Sequence, residues 1–203
     1  MEHTLKNKKG MSMPELIAYV ALYGVVMSLL ASLVFVIVSA ARKVNAQSIM
    51  NRGATLLYTE ILSQTVSLNP DSVTGPTING DTISITFEKV YYYDADGTRQ
   101  YTSTSSDYAN KITKIIYSYE KGADKINIKY VKGSGSPIEP TSTINLDYKM
   151  TMSSHANSED ISTVFSVVEQ NKSNKYVTFH GDLHYDKKTM EFNFIVPVFT
   201  YSD

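Results

Sequence analysis

The N-terminal region of the chain reads Lys8-Lys9-Gly10-Met11-Ser12-Met13-Pro14-Glu15-Leu16, and a long apolar stretch follows it directly. No charged residue occurs from Leu16 to Ala41, a run of 26 positions. As a helix this run would measure about 39 Å, whereas the hydrocarbon core of a membrane is about 30 Å thick. The sequence therefore predicts one helix that crosses a membrane with some tilt.

The charges that flank this run predict its orientation. Three lysines precede it (Lys6, Lys8 and Lys9), and two basic residues follow it (Arg42 and Lys43). Because basic residues collect on the cytoplasmic side, this small excess favours a cytoplasmic N-terminus and an exported C-terminal domain. A cleaved secretory signal fits poorly, since the run is too long and lacks a clear small-x-small cleavage site. Two interpretations of the run remain: an uncleaved signal anchor, and a helix whose leader is removed by cleavage before it.

The spacing around the glycine favours the second of these. A basic leader ends at Gly10, four residues separate it from Glu15, and the apolar run begins only after that glutamate. This pattern resembles the class III signal of type IV prepilins and type II secretion pseudopilins. In the resemblance Gly10 is the leader glycine, Met11 the new N-terminus and Glu15 the glutamate at the fifth mature position. Ala21 and Gly24 match an Ala-x-x-Gly step that is frequent in the family.

The chain also departs from that family pattern. Met11 replaces the usual phenylalanine, Pro14 replaces an aliphatic residue, and Ser32 lies where many major pilins have a proline. A proline is well tolerated in the first turn of a helix. The resemblance is to a minor pilin or minor pseudopilin. Further along the chain, the order Ile115-x-Tyr117-x-Tyr119, turn, alternating strand is loosely similar to the sheet entry of the J-type minor pseudopilins.

The resemblance implies a function without catalysis or cofactor. A prepilin peptidase would cut after Gly10 and methylate Met11, and an assembly ATPase with a membrane platform would move the subunit from the cytoplasmic membrane into an extracellular pilus or pseudopilus. Glu15 would then pair with the N-terminal amine of a neighbouring pilin subunit, since a buried charge is tolerable when it is paired. The alternative for Glu15 is an acidic residue in the lipid headgroup region, favoured by the helix dipole.

Composition limits the other functions. The 203 residues carry a net charge of −1 and include no cysteine. The near-neutral balance gives no reason to expect direct nucleic-acid binding, and the lack of cysteine excludes disulfides and thiolate chemistry.

Beyond the apolar run, the pattern predicts a helix that continues over 42–67. Met50, Ala54, Leu57 and Ile61 recur at helical spacing, and Asn69-Pro70 ends the helix. The predicted organisation is a leader over 1–10, a membrane and assembly half of the helix over 11–41, an amphipathic half over 42–67, and an exported head over 68–203.

The head is predicted to be rich in strands. Residues 68–81 and 132–140 have loop character, and 161–169 fit either a helix or a strand. Alternating or β-rich segments that predict strands lie at 82–87, 90–93, 99–101, 114–120, 125–131, 143–152, 176–185 and 190–201. Pro197 predicts an edge strand or a bulge. The predicted fold class is α+β and pilin-like, with one long helix packed on a mostly antiparallel sheet.

Two polar patterns in the head are candidates for metal binding. His180, Asp182 and His184 alternate on one strand, so their side chains share a face, and two histidines with a carboxylate form a candidate metal set. The simpler interpretation is the solvent face of an amphipathic strand. Asp94 and Asp96 resemble the start of a calcium loop, although the later ligands are not evident and an Asp-Gly turn explains the same residues.

Two further functions stay open at the level of sequence. One is a single-pass anchored ectodomain with a ligand- or metal-binding role, in which Glu15 could change freely. The other, within the family, is a competence pseudopilin that serves DNA uptake.

Overall fold

One long helix, α1, begins at Met13 and ends at Leu68. The structure is a computed structural model, and it describes residues 11–144, 146, 150–155, 160–171 and 174–199. The helix ends where the sequence predicts, because Asn69 adopts a left-handed conformation with φ of 48° and Pro70 follows it. The predicted leader, 1–10, lies outside the described residues.

The chain divides into two compact units, and the division falls inside α1, between Asn45 and Ala46. In the first unit the described residues, 11–45, are exposed throughout. The second unit holds the end of α1 and all of the strands.

Eleven strands follow α1 in the part of the chain that the structure describes. They are β1 (Ser72–Asn79), β2 (Thr82–Glu88), β3 (Tyr91–Tyr93), β4 (Arg99–Tyr101), β5 (Ile112–Glu120), β6 (Asn127–Lys132), β7 (Pro137–Thr143), β8 (Thr151–Ser153), β9 (Phe165–Asn171), β10 (Asn174–Tyr185) and β11 (Lys188–Phe199). Short 3₁₀ turns occupy Thr102–Thr104 and Ile161–Thr163.

These strands form antiparallel sheets rather than the single sheet that the sequence predicts. The first sheet has the order β1-β2-β5-β6-β7, and β3 pairs with β4 in a separate ribbon. In the second sheet β11 pairs with one side of β10, and β8 and β9 pair with different stretches of its other side. The predicted α+β class is confirmed, as a long helix packed on antiparallel sheets.

Two segments with predicted loop character are strands at sheet edges. β1 lies within 68–81, and its register with β2 shifts between Thr74 and Thr77, where Gly75-Pro76 is accommodated. β7 lies partly within 132–140 and begins at Pro137, opposite Val131. Both strands lie at the two ends of the first sheet. Because an edge strand needs only one of its sides for hydrogen bonds, it tolerates proline, and the loop prediction is wrong here for that reason.

The prediction of a continuous strand over 143–152 is also wrong. β7 ends at Thr143 and β8 begins at Thr151, and Ile144 is buried without being part of a strand. The ambiguous segment 161–169 begins with a 3₁₀ turn and continues as β9. Pro197 lies in β11, opposite Tyr176, and β11 is an edge strand of the second sheet as predicted.

The core of the second unit forms between both sheets and the end of α1. Leu57 and Ile61 are fully buried in one cluster with residues from β2, β5, β10 and β11. The Tyr117 ring of β5 makes edge contacts with Phe87 in its own sheet and with Phe179 in the second sheet, at centroid distances of 5.6 and 5.7 Å. The predicted amphipathic stripe is therefore confirmed as the buried face of this helix segment.

Tyr117 also forms a polar contact with the helix. Its hydroxyl lies 3.4 Å from the backbone oxygen of Ile61, to which it donates. Burial raises the pKa of Tyr117 far above its usual value, so the hydroxyl stays protonated and remains a donor.

We predict that Ile61→Ala lowers the free energy of unfolding by about 2–5 kcal/mol, because it leaves a cavity in a core that is closed on all sides. Val66→Ala is the matched control, since Val66 is in the same helix and 67% exposed; it should change stability by less than about 0.5 kcal/mol. Chemical denaturation of the full chain in detergent measures both. Equal effects would show that this helix face is not part of the core.

Candidate functional site

Ser12 and Glu15 cap the N-terminal end of α1. A carboxylate oxygen of Glu15 accepts hydrogen bonds from the backbone N–H of Ser12 at 2.8 Å and from its hydroxyl at 2.9 Å. The backbone N–H of Leu16 donates to the Ser12 carbonyl at 3.0 Å, which starts the helical pattern. The glutamate thus reaches back to the residue before the helix, as in the Ser-x-x-Glu capping box.

The structure thereby gives Glu15 a local role that the sequence analysis did not assign. The signal was present in the sequence, because Ser12 precedes Glu15 by three residues. Met11, the predicted new N-terminus, is 60% exposed. Gly10 lies outside the described residues.

The apolar run that follows the cap is not buried by any described residue of its own unit. An 18-residue window of α1 reaches a mean hydropathy of 2.5, and none of that window is buried. Helix α1 is therefore long and apolar enough to cross a membrane. Large side chains such as Leu22, Leu29 and Phe35 are 61%, 64% and 73% exposed. An exposed apolar surface of this extent indicates contact with lipid or with other proteins.

In the head, His180, Asp182 and His184 all lie on β10 and on one face of it. The opposite face carries Val177, Phe179 and Leu183, which are fully buried in the core. The three side chains have different hydrogen-bonding partners, and metal binding by this trio stays a prediction.

His184 is held by two hydroxyl groups. Its Nε2 lies 2.7 Å from Ser153 Oγ, and its Nδ1 lies 3.1 Å from Thr189 Oγ1. Both ring nitrogens thus have a hydrogen-bonding partner in the neighbouring strands β8 and β11. The hydrogen bonds of the His184 ring are therefore made to residues of its own sheet.

His180 lies instead in a cluster with His155 and Glu191. One candidate ligand atom from each of these three residues lies within 4.8 Å of the other two. Asp182 touches the cluster through His155, whose Nδ1 is 3.2 Å from Asp182 Oδ1. Sequence alone could not join these residues, since His155 and Glu191 are 36 positions apart and meet only through the pairing of β8, β10 and β11.

Asp94 closes the turn between β3 and β4. Its Oδ1 accepts from the backbone N–H groups of Asp96 at 3.1 Å and Thr98 at 2.8 Å, and its Oδ2 accepts from Gln100 Nε2 at 3.2 Å. Among the described residues, Asp94 and Asp96 belong to no three-residue group of potential metal ligands. The Asp-Gly turn explains the position of Asp94, and calcium binding at Asp94 and Asp96 stays a prediction.

No protein-family model, no curated protein and no solved structure matches the chain. In the part of the chain that the structure describes, one N-terminal helix able to cross a membrane and antiparallel sheets define an α+β protein.

The Asp94 turn leads to a prediction about pH. The N–H of Thr98, followed by the Gln100 side chain, lowers the pKa of the Asp94 carboxyl. Because the folded state holds the carboxylate, its contribution to stability is present above the unfolded pKa and is lost as the pH falls through the lowered value. The Thr98 amide shift in NMR should titrate with a midpoint below the ordinary aspartate value of about 3.9.

Asp96→Ala is the control for this titration, since Asp96 contributes only its backbone N–H to the turn. It should leave the midpoint unchanged, whereas Asp94→Ala should abolish the titration. A midpoint at or above the ordinary value would contradict the capping role of Asp94.

Proposed function

We propose that the chain is a minor pilin or pseudopilin, a non-catalytic subunit of a type IV pilus or of a type II secretion-like filament. The observation that carries the proposal is the apolar half of α1, which is uncharged from Leu16 to Ala41 and unburied, and which directly follows a basic leader and Glu15. A prepilin peptidase cuts after Gly10, and the helix waits in the cytoplasmic membrane until an ATPase and a membrane platform assemble it.

The division of α1 supports this proposal. The side chains of the apolar segment are exposed, whereas the segment from Ala46 onward contributes Leu57 and Ile61 to a closed core. A subunit that moves from a membrane into a filament needs these two properties in one helix. Its apolar half must exchange lipid for other subunits, and its head must stay folded in both places.

Processing provides the first test. The chain is expressed with a prepilin peptidase, and the mature N-terminus is determined by mass spectrometry. We predict a chain that begins at methylated Met11, and an uncut chain when Gly10 is replaced in Gly10→Val. If the native chain stays uncut beside a control prepilin that is processed, the proposal is wrong, and an anchored ectodomain takes its place.

Assembly provides the second test, which separates the two roles of Glu15. Glutamine can also serve in a capping box, so Glu15→Gln retains the cap and removes the charge. Ser12→Ala removes the hydroxyl that donates to Glu15 and retains the charge. If Glu15 pairs with a neighbour's amine, Glu15→Gln should reduce the filament fraction at least about ten-fold, because the amine then stays buried without a partner.

Ser12→Ala should assemble nearly as the native chain does. Filaments are sheared from cells and quantified against the amount of subunit in the membrane. A loss in Ser12→Ala with normal assembly of Glu15→Gln would assign Glu15 to helix capping alone.

A further inference from the structure

The second sheet brings polar side chains from three neighbouring strands to one place on its outer face. Asp182 of β10 lies opposite Glu191 of β11 and opposite Ser153 of β8. Residues that lie opposite each other in an antiparallel pair share a face. His180 is two residues from Asp182 and therefore shares that face, and His155 follows two residues after Ser153.

The contacts in this cluster are short. His180 Nε2 lies 2.9 Å from Glu191 Oε1, and the rings of His155 and His180 stack with centroids 4.5 Å apart and planes 30° apart. The candidate ligand atoms of His155, His180 and Glu191 all lie within 4.8 Å of one another. In a tetrahedral zinc site ligand atoms lie about 3.3 Å apart, so the side chains would have to rotate and bring these atoms closer together to bind one ion.

Asp182 supplies the group that would orient one of these ligands. Its side chain is only 7% exposed, and its Oδ1 accepts from His155 Nδ1 at 3.2 Å. A carboxylate that holds one nitrogen of a histidine fixes the ring and leaves the other nitrogen for a metal. This arrangement is typical of protein zinc sites, where the outer carboxylate raises the basicity of the ligand.

The chemistry of the ligand set indicates which ion it suits. Imidazole nitrogen suits zinc and similar transition metals, whereas calcium prefers oxygen ligands only.

We propose that His155, His180 and Glu191 bind one divalent transition-metal ion, best matched by zinc, with Asp182 as the positioning residue for His155. Three protein ligands leave the fourth coordination position to water. The ion would join His155, two residues after the end of β8, to β10 and β11. This proposal rests on the head alone and is independent of the filament assignment.

The strand offers a matched control for the test. His184 lies on the same face of β10 as His180, but both of its ring nitrogens face hydroxyl groups of Ser153 and Thr189. His184→Gln therefore removes a histidine without removing a proposed ligand. His3→Ala serves the same purpose for the fourth histidine of the chain.

The experiment is a calorimetric titration of the metal-free full chain, in detergent and without a histidine tag, with zinc chloride near pH 7.5. We expect one zinc per chain. His155→Gln, His180→Gln and the isosteric Glu191→Gln should each weaken binding at least about 100-fold. Asp182→Asn should weaken it about 10- to 100-fold with the stoichiometry retained. His184→Gln and His3→Ala should bind as the native chain does.

Two further readouts accompany the titration. Cobalt should give the visible spectrum of a tetrahedral site in the native chain and lose it in Glu191→Gln, while circular dichroism confirms that each variant is folded. No saturable binding, an unchanged affinity in the folded Glu191→Gln variant, or an equal loss in His184→Gln would overturn the proposal and leave two ordinary histidine–carboxylate pairs.

Discussion

The burial of one stripe of α1 between two sheets is the constraint on which the head depends. Leu57 and Ile61 have no exposed surface, and Tyr117 reaches from the first sheet to both the backbone of Ile61 and the ring of Phe179 in the second. Neither sheet has another α-helix to cover its apolar face among the described residues. Because the helix segment, β5 and β10 share one closed core, the second half of α1 is part of the head and not a separate stalk.

The first half of α1 is subject to the opposite constraint. Its apolar side chains are unburied, so something outside its own unit must cover them. The cap at Ser12 and Glu15 satisfies backbone and carboxylate groups at the start of this segment within the single chain. Under the proposed assembly the Glu15 carboxylate gains a second partner, the amine of a neighbouring chain. The helix cap and the ion pair between chains then compete for the same carboxylate oxygen atoms.

The sequence correctly predicts those elements whose residue pattern has a single structural explanation. Helical spacing locates the buried face around Leu57, and alternation locates β2, β5, β6 and the β10–β11 hairpin. The sequence does not predict β1 and β7. Pro76 and Pro137 favour a loop, unless it is already known that these strands lie at the edges of a sheet. The sequence cannot find the cluster of His155, His180 and Glu191, since only the strand pairing brings these residues together.

Labelling with a membrane-impermeant maleimide tests the central claim most directly, and the absence of native cysteine makes single-cysteine variants unambiguous. Leu30 and Val66 are 51% and 67% exposed in the chain itself, so any strong difference between them must come from their surroundings. In intact cells, with the outer wall made permeable to the reagent, Val66→Cys should react and Leu30→Cys should react only after detergent is added. Equal reactivity of both positions before detergent would contradict a membrane-embedded first half of α1.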